Sequence, residues 1–138
     1  MPRTTVQLFH HAIDLLLTKD MAGFIELFAS DGVMEFPFAP AGQPNRLAGR
    51  AELHDYLIDY PNILDIREFT DVTVHETVDP AVVVTEFTAA GVVVATGRPY
   101  QLRYIAVLTG RDGHLVHYRD YWNPQAAQEL LNGGLVQS

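Results

Sequence analysis

Leu115-Val116-His117-Tyr118-Arg119-Asp120-Tyr121-Trp122-Asn123-Pro124 is the stretch on which the fold turns. Its β-branched and aromatic residues suit a pleated surface, a turn signal at Arg111-Asp112-Gly113 precedes it, and Pro124 cannot donate to a ladder. The pattern predicts a central strand. Side chains alternate along a strand, so Val116, Tyr118, Asp120 and Trp122 share one face, while His117, Arg119 and Tyr121 share the other. An isolated carboxylate among a valine, a tyrosine and a tryptophan is costly to desolvate unless it is paired or used. Asp120 is therefore the first candidate for chemistry.

Upstream of this strand the pattern predicts three more, over 66–75, 81–95 and 98–109, with turns at Asp79-Pro80, Thr96-Gly97 and Asp112-Gly113. Gly91 interrupts the second of them and marks a bulge that would curl the sheet. The first half of the chain reads differently. Val6, Phe9, Ile13 and Leu16 recur at helical spacing over 4–18, and Asp20 can cap a short helix over 21–28 that Ser30-Asp31-Gly32 would end. A strand over 33–38 follows, then a loop from Ala39 to Asn45 punctuated by Pro40, Gly42 and Pro44. A third helix over 50–60 stops at Pro61 and groups Leu53, Tyr56, Leu57 and Tyr60. Helices first and an antiparallel sheet afterwards make an α+β fold, with helices on one face of a curved sheet.

The 138 residues, 48% of them hydrophobic, suit one domain over 1–138 with a sizeable core. A formal charge of −8 and the lack of a basic run argue against nucleic acid as a partner. With no cysteine there is no disulfide, thiolate metal site or cysteine nucleophile. No leader or membrane-spanning run is legible, which makes a cytoplasmic protein the expectation.

If Gly110-Arg111-Asp112-Gly113 closes a hairpin with a two-residue loop, Arg103 falls directly opposite Asp120 on the same face. Carried across the Thr96-Gly97 turn, the register sends Glu86 there too, unless a bulge at Gly91 reverses it. Two readings stay open: Arg103 and Asp120 neutralise each other for structure, or Asp120 is a general acid or base. Burial would raise its pKa and a close Arg103 would lower it. Phe36, Phe38, Tyr56, Tyr60, Tyr104, Tyr118 and Trp122 are candidates for lining a ligand site, although the same register places Tyr104 on the face away from Arg103. Glu35, between Met34 and Phe36, is expected to face solvent. His10 and His11 diverge on a helix, as do His114 and His117 on a strand, so no metal site is expected.

The helical start, Leu27-Phe28-Ala29-Ser30-Asp31-Gly32, Leu47-Ala48-Gly49-Arg50 and Tyr118-Arg119-Asp120-Tyr121-Trp122-Asn123-Pro124 occur together in an order that resembles the SnoaL-like polyketide cyclases of the nuclear-transport-factor-2-like (NTF2-like) superfamily. The resemblance covers nearly the whole chain. It implies a cone in which a bent antiparallel sheet wraps around three helices and encloses one apolar pocket, and it implies a homodimer. It also implies that the acidic residue on the last strand, here Asp120, serves as general acid or base. Glu86 resembles an acidic position of the related phenazine-biosynthesis A/B proteins. Where those proteins carry an active-site arginine, histidine and serine, this chain has Phe24, Tyr56 and Tyr60. The catalytic positions of ketosteroid isomerase would fall at Ala12, Phe36 and Ile105, which cannot do that work. Glu86, Arg103 and Asp120 are similar in chemical type to the Asp-Arg-Asp set of limonene-epoxide hydrolases.

The expected protein is thus a metal-free and cofactor-free catalyst of proton transfer (cyclisation, isomerisation or dehydration) on a small apolar or aromatic metabolite. Asp120 would move the proton and Arg103 would orient it. The alternatives are a carrier that binds such a ligand without chemistry, and a dimeric interaction module with a filled interior.

Overall fold

The computed structural model describes residues 2–127 and 129. In chain order the elements are α1 (Thr5–Leu17), α2 (Met21–Glu26), β1 (Phe28–Glu35), β2 (Arg46–Ala48), α3 (Arg50–Leu57), a 3₁₀ turn (Tyr60–Asn62), β3 (Leu64–Glu76), β4 (Val82–Val93), β5 (Arg98–Arg111) and β6 (His114–Trp122). The strands form one sheet in the order β2-β1-β6-β5-β4-β3, with β6 inside it as the sequence predicts. Beyond β6 the Asn123 side chain accepts from the Gln125 and Ala126 N–H groups, so the strand gives way to a turn at Pro124.

The sheet is mixed rather than wholly antiparallel, because β1 lies parallel to β6 with Met34 opposite Tyr118. β1 also starts five residues before the expected Val33 and runs through Ser30-Asp31-Gly32. Local composition there signals a turn, yet the Leu115 N–H donates to the Leu27 carbonyl and the Gly49 N–H to the Gly32 carbonyl. Pairing with distant chain overrides the local preference. Short β2, which pairs antiparallel with β1 just after the expected loop, is not foreshadowed by the sequence pattern.

The helices follow their caps. Thr4 and Gln7 form a reciprocal capping box at α1, whose buried face carries Leu8, Phe9 and Ala12. The Asp20 carboxylate accepts the Gly23 N–H at 2.8 Å and starts α2. Removing it with Asp20→Ala is expected to cost about 1 kcal/mol in denaturant unfolding. Between the two helices Lys19, at positive φ, donates to the Ile66 carbonyl at 2.9 Å and pairs with Asp65 at 2.8 Å, tying the helical layer to β3. α3 ends at Leu57, earlier than expected, and Tyr60 is carried instead by the 3₁₀ turn that contains Pro61.

Two registers decide which side chains meet. The β5–β6 loop is Asp112-Gly113, both at positive φ, so Arg111 faces His114 and the pairing is displaced from the one expected. A register shift between Thr109 and Gly110 adds one residue more, and the total displacement is odd. An odd slip exchanges the faces. Ala106, not Arg103, therefore stands opposite Asp120. In the neighbouring ladder Arg103 faces Thr88 and Glu86 faces Ile105, and these side chains lie on the outer face of the sheet.

Gly91 acts differently from expectation too. The β4–β5 ladder continues through it, pairing Gly91 with Tyr100, and the shift lies across from it in β3, between Ile66 and Glu68. A second shift between Thr70 and Thr73 contains Asp71 at positive φ. Both irregularities belong to β3, where they add twist. The apolar core forms two groups: one beneath α1 and α2 around Phe9, Phe24 and Phe28, the other around Leu64, Ile66, Val93 and Leu102. Tyr60, Phe69 and Tyr104 pack against both. No described helix is long and apolar enough to cross a membrane.

Candidate active site

Between the two core groups the helices leave the inner face of the sheet uncovered, and a cavity of about 500 Å³ results. That is a size suited to a small organic ligand. Its floor is the inner face of β4 to β6, contributing Phe87, Ala89, Leu102, Tyr104, Tyr118, Asp120 and Trp122. α3 and the 3₁₀ turn supply Tyr56 and Tyr60, β1 leads into Phe36, and the following loop adds Pro40, Ala41 and Gln43. Aromatic contacts hold this wall in place. The Phe36 ring lies 5.4 Å from Tyr56 and 5.6 Å from Trp122, centroid to centroid, and Phe87 stacks on Tyr104 at 5.4 Å.

Asp120 is the only charged residue among the described residues of the lining. Its neighbour across the ladder, Ala106, is too small to cover it. Oδ1 has no solvent-accessible surface and no hydrogen-bond partner among the described residues. Burial pushes the carboxyl up to about 8, because the charged form is poorly hydrated there. Near neutral pH both protonation states are thus within reach, which is what a proton-transfer group needs.

Four tyrosines share the lining with it. Burial raises Tyr56, Tyr60, Tyr104 and Tyr118 above the ordinary phenol value, and the nearby Asp120 charge adds to the shift in each. Tyr60 and Tyr104 also influence one another's ionisation, since both line the same cavity. These phenols stay protonated through the physiological range and can donate to a ligand oxygen.

Of the residues singled out in the sequence, Asp120, Phe36, Tyr56, Tyr60, Tyr104, Tyr118 and Trp122 come together in the cavity. Arg103, Glu86 and Phe38 do not. The Arg103 guanidinium donates to Thr88 Oγ1 at 3.0 Å and to the Asp71 carbonyl at 3.2 Å, with Glu86 Oε1 at 3.8 Å. Glu86 is engaged by His75 Nε2 at 2.7 Å. Both belong to the outer face, so the expected Arg103–Asp120 pair is absent and nothing in the lining opposes the rise in the Asp120 pKa. Phe38 is 55% exposed and its ring meets Tyr121, outside the cavity. Glu35 is half-buried and bound to His117 across the parallel β1–β6 pairing, which the sequence does not reveal without that pairing. Met34, Gln43, Phe69 and Phe87 line the cavity although the sequence does not single them out. The observed register, not the expected one, turns Tyr104 inward with Asp120, and through its pairing with Tyr104 it turns Phe87 inward too.

A mixed, open sheet curled over three α-helices is the architecture of the NTF2-like fold. The profile of the SnoaL-like domain matches residues 7–118, and the chain belongs to that family. The match ends two residues before Asp120. The uncharacterised protein YesE of Bacillus subtilis (strain 168) is 43% identical over 123 residues, covering 89% of this chain and 84% of that protein. The uncharacterised PhzA/B-like protein PA3332 of Pseudomonas aeruginosa is 41% identical over 123 residues, covering 89% and 86%. A crystal structure from Bacillus subtilis, named provisionally as an isomerase, superposes with a TM-score of 0.89 at 40% identity, covering 94% of this chain and 93% of the other.

Proposed function

We propose that the protein is an enzyme that moves a proton on a small apolar or aromatic ligand, with Asp120 as the sole proton-transfer group and no cofactor. The observation that carries this reading is the buried Asp120 carboxyl, which has an unpartnered Oδ1 and opens on an apolar cavity. A core has no use for such a group, since an unsatisfied polar atom costs stability. The reaction class is isomerisation, cyclisation or dehydration, each of which turns on adding or removing a proton next to a carbonyl. The provisional isomerase name of the 40%-identical structure supports the same class. Tyr60 and Tyr104 would hold the ligand oxygen, while Phe36, Tyr56, Tyr118 and Trp122 would shape the space around it.

The interaction-module alternative fares worse, because it requires a filled interior and an Arg103 locked to Asp120. The test is a screen of neutral polyketide and terpenoid ketones for conversion, read by mass spectrometry. Asp120→Asn is expected to lower turnover of a converted compound by about two decades or more. Arg103→Gln, which alters only the outer face, is expected to leave it within about twofold. Unchanged turnover in Asp120→Asn would refute the assignment, and a ligand bound by wild type but never converted would favour the carrier. A homodimer through the outer sheet face, where Ile105 is 43% exposed, belongs to the same proposal and is checked by light scattering.

A further inference from the structure

The register that removes Arg103 from the cavity also removes its only candidate cation. Among the described lining residues there is no lysine, arginine or histidine. The polar side-chain groups that remain are the Asp120 carboxyl, four tyrosine hydroxyls, the Gln43 amide and the Trp122 indole N–H. None of them carries positive charge at any ordinary pH. A ligand carboxylate entering this space would lose its hydration, meet apolar walls, and lie beside an acid whose own ionisation is already opposed by burial. Desolvation of an unpaired ion is among the largest penalties in protein chemistry. A neutral ligand oxygen faces no such cost. The hydroxyls of Tyr60 and Tyr104, in the cavity lining and able to donate, offer it hydrogen bonds in place of those it had with water.

We infer that the cavity selects by charge: it takes an uncharged ligand bearing a carbonyl, ester or enol oxygen and rejects the corresponding carboxylate. This deepens the proposed function and rests on the cavity being the ligand site, but it does not require turnover. Where the proton step does occur, the ligand C–H bond beside the carbonyl breaks and its proton goes to the ionised Asp120. The electron pair moves onto the carbonyl oxygen, where the tyrosine hydroxyls receive the developing negative charge. The charge exclusion and the oxyanion stabilisation are compatible. The first concerns a charge that must be dehydrated on entry, whereas the second concerns one that arises by moving Asp120's charge within the site.

Trp122 is the single tryptophan of the chain and lines the cavity, so its fluorescence reports occupancy without a label. The experiment titrates wild type with two matched sets, built on naphthalene and on anthracene. Each set contains the 2-carboxylate, its methyl ester and a 2-propyl hydrocarbon of similar shape, with fluorescence corrected for ligand absorption. At pH 7 the ester is expected to bind more than about a hundredfold tighter than the carboxylate, and about tenfold tighter than the hydrocarbon. Between pH 7 and pH 5 the apparent affinity of the acid should rise about tenfold per unit, because only its neutral form enters, while that of the ester stays flat. The titratable groups facing the ligand are Asp120 and the four tyrosines, so the cavity itself changes little over that interval.

Equal binding of acid and ester at pH 7, or acid binding that ignores pH, overturns the inference. So does a failure of all members of both sets to quench Trp122. The outcome is separable from that of the catalytic reading. Neutral ligands bound selectively but never converted would sink the catalysis and keep the charge selection, whereas conversion of a carboxylate would do the reverse.

Discussion

Asp120→Asn is expected to be close to wild type in stability at pH 5 and markedly more stable at pH 9. The carboxyl titrates at about 8 in the folded protein, against an ordinary value of about 4 in the unfolded chain. Between those two values the native state binds one proton that the unfolded state has released. Stability contributed by this group therefore falls as pH rises across that window, and it levels off above pH 8. The asparagine has the same shape without the titration, so its curve lacks the fall. Four units at about 1.4 kcal/mol each set a ceiling of roughly 6 kcal/mol, and the partial exposure of the rest of the Asp120 residue reduces it to about 2 to 3 kcal/mol. In a domain of this size that is a melting-temperature gap of about 5 to 10 °C, opening between pH 5 and pH 9. Other groups act on both proteins and cancel in the difference. Asp65, for instance, is held below the usual carboxylate range by its hydrogen bond to Lys19, and contributes stability that is lost only as pH falls through its native pKa. Parallel melting curves for the two proteins across this range would show that Asp120 is solvated, and the proposed function would lose its carrying observation. A wild type that becomes less stable on ionising the group it needs fits a site selected for chemistry rather than for stability.

How much of this site the sequence discloses depends on which interactions set it. Alternation along one strand is local, so Tyr118, Asp120 and Trp122 can be assigned to a common inward face from the sequence alone. Tyr56 and Tyr60 can also be grouped, because a helix and the turn after it keep neighbouring residues together. Pairing between strands is another matter. Arg103 falls opposite Asp120 only if the loop is centred on Arg111-Asp112, whereas the chain turns at Asp112-Gly113 and then shifts register before Thr109. The Asp-Gly pair is a legible signal for the true turn, since both residues must take positive φ. The shift beside Gly110 is not legible, because it follows from packing. A Cβ on Gly110 would come within 2.5 Å of the Thr5 hydroxyl, so helix α1 presses on the sheet at that point. The start of β1 escapes a sequence reading for a related reason. Its parallel partner lies more than eighty residues away, and Ser30-Asp31-Gly32 looks like a terminator until that partner is present.

Gly91→Ala is expected to lose about 3 to 5 kcal/mol in denaturant unfolding, beyond the usual cost of overpacking. A Cβ at this position would sit 1.9 Å from the Asp65 carbonyl oxygen and 3.0 Å from the Ile66 Cα. Both are backbone atoms, so no side chain can swing away to make room. Nor can Asp65 retreat easily, since its carboxylate is held by Lys19 at 2.8 Å and by Arg67 at 3.2 Å. β3 must move away from β4 at the point where its extra residue already strains the ladder. Gly97→Ala provides the comparison. Gly97 has a φ of +72° in the turn between β4 and β5, and a Cβ added there would meet nothing within 4 Å, so alanine brings conformational strain of about 1 kcal/mol and no clash. If the two variants lose equal stability, close approach of the strands is not what Gly91 provides. The larger loss should also reach the ligand, because Leu64 and Ile66 lie on the displaced segment and line the cavity. In a Gly91→Ala protein that still folds at low temperature, Trp122 quenching by the neutral esters should weaken while the Gly97→Ala protein binds as wild type does. Such a split would place the β3 irregularity among the features that shape the cavity, at the end of the sheet away from Asp120.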